Sequence, residues 1–178
     1  MSLQQRVQQN FQHSIATLRE AQGLLTDTVV SAAEQLSAAL LQGGKVLICG
    51  SDGSAVIAEY FVSLLLTRYE RERPGLPAIA LGADQIKTLA QPNDVLIVLC
   101  AGSENASLSQ AISTANEYKI PVILIDSELS NKLARVLQSD AIEIKAPAPQ
   151  AHRSLEVQLV LVHCLCDLID IQIFGEEL

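Results

Sequence analysis

One stretch decides the fold: an apolar run, Lys45-Val46-Leu47-Ile48-Cys49-Gly50, followed by a Gly/Ser segment, Ser51-Asp52-Gly53-Ser54. A short continuous apolar run predicts a strand buried on both faces, and the Gly/Ser segment predicts a turn into a helix. In a parallel α/β sheet this arrangement builds an anion site, because backbone N–H groups and the helix dipole favour negative charge there. Such a loop also serves as a plain strand-to-helix connection, so both interpretations stay open.

Strands and helices alternate from Lys45 onward. The predicted strands are 45–49, 77–81, 95–100, 121–125 and 140–145. The predicted helices are 53–68, 104–117, about 128–137 and 151–174. This alternation predicts an α/β fold, a three-layer doubly wound sheet with right-handed crossovers.

The N-terminal region is helical in pattern. Apolar residues from Val7 to Leu18 recur at helical spacing, and Gly23 is expected to end this first helix before a second one runs to Leu41. We therefore predict a helical extension at 1–42, which packs partly against another subunit, and an α/β domain at 43–178.

Composition restricts the class of protein. The chain has 178 residues with 49% hydrophobic and 18% charged side chains, which favours one domain with a large aliphatic core. Its net charge of -8 excludes direct nucleic-acid binding. The cysteines at 49, 100, 164 and 166 lie in apolar runs and form no C-x-x-C motif. Buried reduced thiols, a polar N-terminus and charges within 155–174 predict a cytoplasmic protein without a signal peptide or membrane span.

Two loops and two flanking blocks resemble a known family. The second loop, after strand 95–100, reads Ala101-Gly102-Ser103-Glu104-Asn105. With the blocks 68–81 and 164–170, the chain resembles the sugar isomerase (SIS) domain of phosphoheptose isomerases. It resembles at least as closely their non-catalytic relatives, the DnaA initiator-associating (DiaA-like) proteins. The resemblance covers nearly the whole chain and implies a five-stranded parallel sheet, a homotetramer and a sugar-phosphate pocket between subunits. The implied pocket loops are Gly50, Ser51, Asp52, Gly53, Ser54, Gly102, Ser103, Glu104 and Asn105.

The resemblance also implies positions for zinc ligands and for the catalytic carboxylate. The family's histidine ligand falls on Tyr60, its catalytic metal-binding carboxylate on Leu64 and its glutamine ligand on Leu155, while a second histidine remains at His163. One imidazole cannot hold zinc, which takes three or four N, S or O ligands. We therefore predict no catalytic residue, no metal and no cofactor, with His163 as a core or interface histidine that has one hydrogen-bond partner.

The phosphate loops differ from the family pattern as well. Asp52 takes a glycine position and Glu104 an asparagine position, and three hydroxyls are lost at residues 100–102. We expect both carboxylates to satisfy helix N-terminal amides. A nearby phosphate would meet repulsion of roughly 3–4 kcal/mol per unit charge at an effective dielectric constant near 20. The segment 82–93 is also shorter than in the family.

These losses lead to one main hypothesis and two alternatives. The main hypothesis is a non-catalytic homotetrameric adaptor that binds a DnaA-type replication initiator through Ile173 and Phe174. The competing interpretation of Phe174 is packing on a neighbour, in which case its loss would dissociate the tetramer. The alternatives are a phosphoheptose isomerase acting on sedoheptulose 7-phosphate and a sensor that binds sugar phosphates without turnover.

Overall fold

The structure is a computed structural model that describes residues 1–102, 106–129 and 132–176. Its centre is a five-stranded parallel sheet in the order β2-β1-β3-β4-β5. The strands are β1 Val46–Gly50, β2 Ala78–Ala80, β3 Val95–Leu99, β4 Val122–Ser127 and β5 Ile142–Ala146. All four strand pairs are parallel, which confirms the predicted doubly wound sheet and all five strand positions.

Helices cover both faces of the sheet. They are α1 Leu3–Leu41, α2 Gly53–Leu66, α3 Ala83–Leu89, α4 Ala106–Glu117, a 3₁₀ helix at Leu133–Val136, and α5 Ala151–Phe174. In the described part of the helix predicted at about 128–137 the helical residues are this short 3₁₀ turn, and residues 130 and 131 lie outside the described ranges. The shortened segment 82–93, whose conformation the sequence left open, contains α3.

Alternating side chains of the strands divide the core into two halves. In β1, Val46 and Ile48 join the cluster beneath α1, α2 and α5, whereas Leu47 and Cys49 join the cluster beneath α3 and α4. Because both faces are buried, each strand is apolar throughout rather than alternating, as the sequence pattern indicated.

The N-terminal region is one helix and not two. The prediction that Gly23 ends a helix is wrong, since α1 runs unbroken through it from Leu3 to Leu41. A mid-helix glycine costs only about 1 kcal/mol. Burial of Ala21, Leu25 and Val29 on either side of Gly23 against the core offsets that cost.

The sheet order creates a switch point between β1 and β3. The chain leaves β1 toward β2 on one side, and β3 leads toward β4 on the other. In open α/β sheets a crevice forms at this position, beyond the carboxyl ends of the strands. The loops that follow β1 and β3 therefore border the crevice.

The cysteines and α5 refine two predictions about burial. Cys49, Cys100 and Cys166 are buried as expected, and burial raises the pKa of Cys49 and of Cys166 to about 12. Cys164 is exposed, so the prediction of burial is wrong there. It lies on the face of α5 that borders a groove with α1.

Among the described residues α5 is the one helix long and apolar enough to cross a membrane. Of its most apolar 18-residue stretch, 44% is buried inside the fold.

Candidate functional site

The loop after β1 turns tightly into α2. A Cβ on Gly50 would lie 2.6 Å from the backbone oxygen of Ser54, so the first turn of α2 needs glycine at the end of the strand. The amide of Ser54 donates to the carbonyl of Ser51 at 2.9 Å, and the amide of Ala55 donates to Asp52 at 3.1 Å. The loop thus folds onto itself and presents the N-terminus of α2 at the crevice.

Asp52 occupies the N-cap position of α2 without capping it. Its side chain makes no capping hydrogen bond, and its φ of 51° with ψ of -127° belongs to a region that favours glycine. The expectation that this carboxylate satisfies helix amides is therefore wrong, because a capping residue has extended backbone and Asp52 has a positive φ instead. Positive-φ backbone of this kind costs about 1–3 kcal/mol in a residue with a Cβ.

Ser54 ties the crevice loops to α5. Its buried hydroxyl donates to Gln158 Oε1 at 2.8 Å and accepts from the amide of Ala101 at 3.0 Å. Gln158 in turn donates from Nε2 to the carbonyl of Ile125 at 3.3 Å. Ser54 and Gln158 are both fully buried. This network links the ends of β1, β3 and β4 to one helix, so the crevice has a fixed framework.

The second loop is described only in part. Ser51 donates its amide to the carbonyl of Leu99 at 3.4 Å, which places the two loops side by side as predicted. Gly102 faces the start of α5, where a Cβ would meet Ala151 at 3.8 Å. Ser103, Glu104 and Asn105 lie outside the described residues, and their predicted roles remain predictions.

Aromatic groups occupy the region between α2 and α5 where the resemblance implied metal ligands. Tyr60 Oη lies 3.2 Å from His163 Nε2, within hydrogen-bond distance. The ring of Tyr69 stacks on His163 with centroids 5.6 Å apart. His163 therefore has the hydrogen-bond partner expected of a structural histidine.

Leucines fill the remaining implied ligand positions. Leu64 packs against the core, and Leu155 lies so close to the start of α2 that a Cβ on Gly53 would be 2.7 Å from its Cδ1. Within the described ranges no group of three His, Cys, Asp or Glu side chains could hold a metal ion. The side chains at these positions do not fit zinc, because zinc takes three or four N, S or O ligands and leucine supplies no donor atom.

Two predicted partner-binding residues lie at the end of α5. The guanidinium carbons of Arg71 and Arg73 lie 5.6 and 6.0 Å from the ring centroid of Phe174, so the aromatic ring packs on cations of its own chain. Ile173 packs against the core in part. The partner-binding role of Ile173 and Phe174 stays a prediction, since these contacts do not test it.

Arg73 holds the ends of α2 and α5 together. Its buried guanidinium donates to Asp170 Oδ1 at 2.5 Å and to the carbonyls of Leu64 and Leu65 at 3.1 and 2.9 Å. Arg71 donates to the backbone carbonyls of Asp170 and Gly175. These bonds satisfy carbonyls at two helix C-termini, which explains why the segment after α2 is rich in arginine.

One cavity escaped the sequence analysis. A space of about 250 Å³ opens at the carboxyl ends of β1 and β2, between α2 and α3, and Glu59 and Gln85 are the polar side chains that line it. Glu59 is the one charged residue in the sequence of α2, an otherwise apolar helix. That isolated charge was the signal that could have drawn attention to this position.

The comparisons define the class of protein. The SIS domain profile matches residues 9–127, and the chain therefore belongs to the SIS domain family. Similar proteins in that family include phosphoheptose isomerases. The one from Methylococcus capsulatus is 34% identical over 195 aligned positions, which cover 99% of this chain and 100% of that protein. The one from Coxiella burnetii is 36% identical over 189 positions, covering 96% and 95%.

The fold comparison agrees with the sequence comparison. The structure of a phosphoheptose isomerase from Francisella tularensis superposes with a TM-score of 0.90 at 31% identity, and the match covers 96% of this chain and 99% of that one. The predicted family and the predicted five-stranded SIS fold with a helical N-terminal region are thus confirmed.

The main functional hypothesis is wrong. The near-full-length relatives are named as enzymes, and this favours the alternative of a phosphoheptose isomerase over a non-catalytic adaptor. A DnaA-type partner and a role in DNA replication initiation have no support from these relatives. The error arose because the lost ligand positions were given more weight than the similarity of the whole chain.

Proposed function

We propose that this chain binds a phosphorylated sugar in the crevice and isomerises it as a phosphoheptose isomerase. The observation that carries the proposal is similarity over the whole length, at 34% and 36% identity, to proteins of that name. Similarity of this extent supports a common class of ligand, because the shared sheet and helices place the corresponding loops at the border of the crevice.

The geometry at the end of β1 supports phosphate as the anchoring group. The N-terminus of α2 points into the crevice, and the helix dipole favours an anion there. Ser54 and Gln158 hold the loop through buried hydrogen bonds, so little conformational entropy is lost when a ligand binds.

A second candidate is a sensor that binds the sugar phosphate without turnover. The specific observation in its favour is the set of Tyr60, Leu64 and Leu155 at positions where the resemblance implies proton-transfer and metal groups. Isomerisation moves a proton between adjacent carbons and needs a positioned acid or base. Leucines at two of these positions supply neither.

We also propose a homotetramer in the cytoplasm, with residues 1–42 as the oligomerising extension of the SIS domain at 43–178. Val7, Phe11 and Ile15 are 56%, 67% and 47% exposed, and they lie along one stripe of α1. An apolar stripe of this kind is typical of an interface that another subunit covers. Phe11→Glu is expected to reduce the molar mass measured by light scattering, whereas Gln12→Glu on the neighbouring face should leave it unchanged.

Two measurements on one preparation test the proposed function. Calorimetric titration with sedoheptulose 7-phosphate measures binding, and a discontinuous assay for the isomerised sugar measures turnover. Heat together with product supports the isomerase, and heat without product supports the sensor. Absence of heat at millimolar ligand would contradict both.

A further inference from the structure

A cavity of about 310 Å³ lies at the carboxyl ends of α2 and α5, away from the crevice. It opens between the segment that follows α2 and the last turns of α5, and its wall contains both polar and apolar side chains. The 14 residues of α2 correspond to about 20 Å along the helix axis. The cavity is therefore separate from the loop at residues 50–54, where the phosphate of the proposed function binds.

The charge of this cavity favours a cation. Four carboxylates line it, those of Glu70, Asp167, Asp170 and Glu176, whereas Arg71 is the one basic side chain of its wall within the described ranges. The carboxyl end of α5 carries the negative end of the helix dipole, and the last turn of α5 contains no basic residue. An anionic ligand would therefore be repelled here, and a positively charged one is attracted.

Two buried polar atoms of the side chains that line this cavity have no hydrogen-bond partner in the described part of the chain. Asp170 is 4% exposed, and its Oδ1 pairs with Arg73 whereas its Oδ2 has no donor. The Nε of Arg71 has no acceptor, although the other nitrogens of that guanidinium donate to the carbonyls of Asp170 and Gly175. Because buried polar groups are nearly always hydrogen-bonded, these two atoms point to a ligand. A hydroxyl group suits both, since it donates one hydrogen bond and accepts others.

The cation that fits this cavity is organic. Within the described ranges no group of three His, Cys, Asp or Glu side chains could hold a metal ion. The ring of Tyr69 lines the cavity, and aromatic rings attract ammonium groups. Burial raises the pKa of the Tyr69 hydroxyl, and the negative charges of Glu70 and Asp167 raise it further, so both carboxylates act on the space beside this ring. Carboxylates next to an aromatic ring are suited to an ammonium group.

We propose that this cavity binds an aliphatic amino alcohol, with its ammonium group at the carboxylates of Glu70 and Asp167 and its hydroxyl group at Asp170 and Arg71. The segment after α2 and the helix α5 each supply one residue to both groups of contacts, so the ligand joins these two elements. The site goes beyond the proposed function, because it uses none of the residues that border the crevice.

Three probes with the same carbon chain separate the two groups of contacts. The first, 4-aminobutan-1-ol, carries both polar groups, whereas butylamine lacks the hydroxyl group and butan-1-ol lacks the ammonium group. In calorimetric titrations of the full chain we expect saturable binding of 4-aminobutan-1-ol and about fivefold weaker binding of butylamine, since one hydrogen-bonding group is lost. Butan-1-ol should give no saturable heat. Equal affinities for 4-aminobutan-1-ol and butylamine, or no saturable binding of 4-aminobutan-1-ol at millimolar concentration, would overturn the proposal.

Two exposed carboxylates allow the site to be tested without disturbing the buried pair of Asp170. We expect Glu70→Gln and Asp167→Asn each to weaken binding of 4-aminobutan-1-ol about threefold, with an unfolding temperature by circular dichroism equal to that of the wild type. Asp167 also borders the groove between α1 and α5, so Glu70→Gln is the decisive variant.

The matched control is Glu117→Gln, which removes the same charge from an exposed position at the end of α4, on the other face of the sheet. It should leave the affinity for 4-aminobutan-1-ol unchanged. An equal loss of affinity in Glu70→Gln and Glu117→Gln would assign binding to the net charge of the chain and overturn the site. Binding of sedoheptulose 7-phosphate should be the same in Glu70→Gln as in the wild type, so a failure of the proposed function is recognised separately.

Discussion

The helices α2 and α5 contact each other in two regions whose polar side chains differ in burial and in hydrogen bonding. Near the crevice, Ser54 and Gln158 are fully buried and bonded to one another and to the ends of neighbouring strands. One to two turns further along α2, Tyr60 is 39% exposed and meets His163 beside leucines. The first region is a fixed framework of buried hydrogen bonds, and the second lacks the donors that the family resemblance implies. This difference teaches that the binding framework and the reacting groups of one crevice can change independently.

The largest expected effect is a loss of stability when the hydrogen bonds of Ser54 in the first region are removed. Ser54→Ala removes the partner of Gln158 Oε1 and of the Ala101 amide, both in buried surroundings. Each buried polar group without a partner costs about 1–3 kcal/mol, so we expect a loss of about 2–4 kcal/mol in the free energy of unfolding. Urea unfolding followed by circular dichroism measures it.

Ser63→Ala is the matched control on the same helix. Ser63 is exposed, and its replacement should stay within about 0.5 kcal/mol of the wild type. If Ser54→Ala costs no more than Ser63→Ala, the network of Ser54 does not hold the crevice together.

A second prediction restores candidate metal ligands in the region around Tyr60 and His163. The triple variant Tyr60→His, Leu64→Glu and Leu155→Gln adds three candidate ligands to His163, and the resulting four are enough for a tetrahedral zinc site. We expect zinc affinity at least tenfold above that of the wild-type protein, a difference of about 1.4 kcal/mol. Competition with a chromophoric chelator measures this affinity.

The variant that keeps Leu64 and changes only the other two positions is its control, and it should bind zinc more weakly than the triple variant. Equal and weak zinc binding by all three proteins would show that missing donors are not what separates the two regions.

A smaller effect on stability is expected from replacing Asp52, which precedes α2 at the crevice. Asp52→Gly relieves backbone at φ 51° and removes a negative charge beside the N-terminus of α2. Relief of the strained backbone is worth about 1–3 kcal/mol, and the greater entropy of glycine in the unfolded chain offsets about 0.4–1 kcal/mol of it. We therefore expect the free energy of unfolding to stay unchanged or to rise by up to about 2 kcal/mol. The affinity for sedoheptulose 7-phosphate should rise severalfold, measured by calorimetry.

Asp52→Asn separates the two causes, because asparagine tolerates positive φ and carries no charge. An affinity gain in both variants assigns the effect to charge. A gain in neither would contradict the placement of the phosphate near this residue.

The smallest expected effect concerns Tyr60 and His163. Tyr60→Phe removes one partly exposed hydrogen bond at 3.2 Å but keeps the ring contact. Because water replaces the lost partner, we expect less than about 1 kcal/mol in the free energy of unfolding. A loss above that value would indicate that this pair supports the fold as strongly as Ser54 and Gln158 do.

The sequence predicted the sheet well and the helical extension poorly. Continuous apolar runs such as 95–99 have few alternatives to a buried strand, and all five strands lie where the pattern placed them. Gly23 misled the prediction of α1, because propensity is local and the packing of Leu25 and Val29 is tertiary. The 3₁₀ helix at Leu133–Val136 was overextended for the same reason.

The site was predicted in its outline but not in its contacts. Loop sequences placed Ser51 and Ser54 at the carboxyl edge of the sheet, because glycine and serine after a buried strand favour a tight turn into a helix. The bond from Ser54 to Gln158 spans 104 residues, and no local pattern indicates a contact at that separation. Glu59 belongs to no motif, and its position at a cavity is visible only in the folded chain.

A crystal structure of the protein grown with sedoheptulose 7-phosphate tests the central claim most directly. The account predicts density for the sugar phosphate in the crevice, with its phosphate at the N-terminus of α2 beside Gly53. An empty crevice at saturating ligand, or the ligand seated in the groove between α1 and α5, would contradict it.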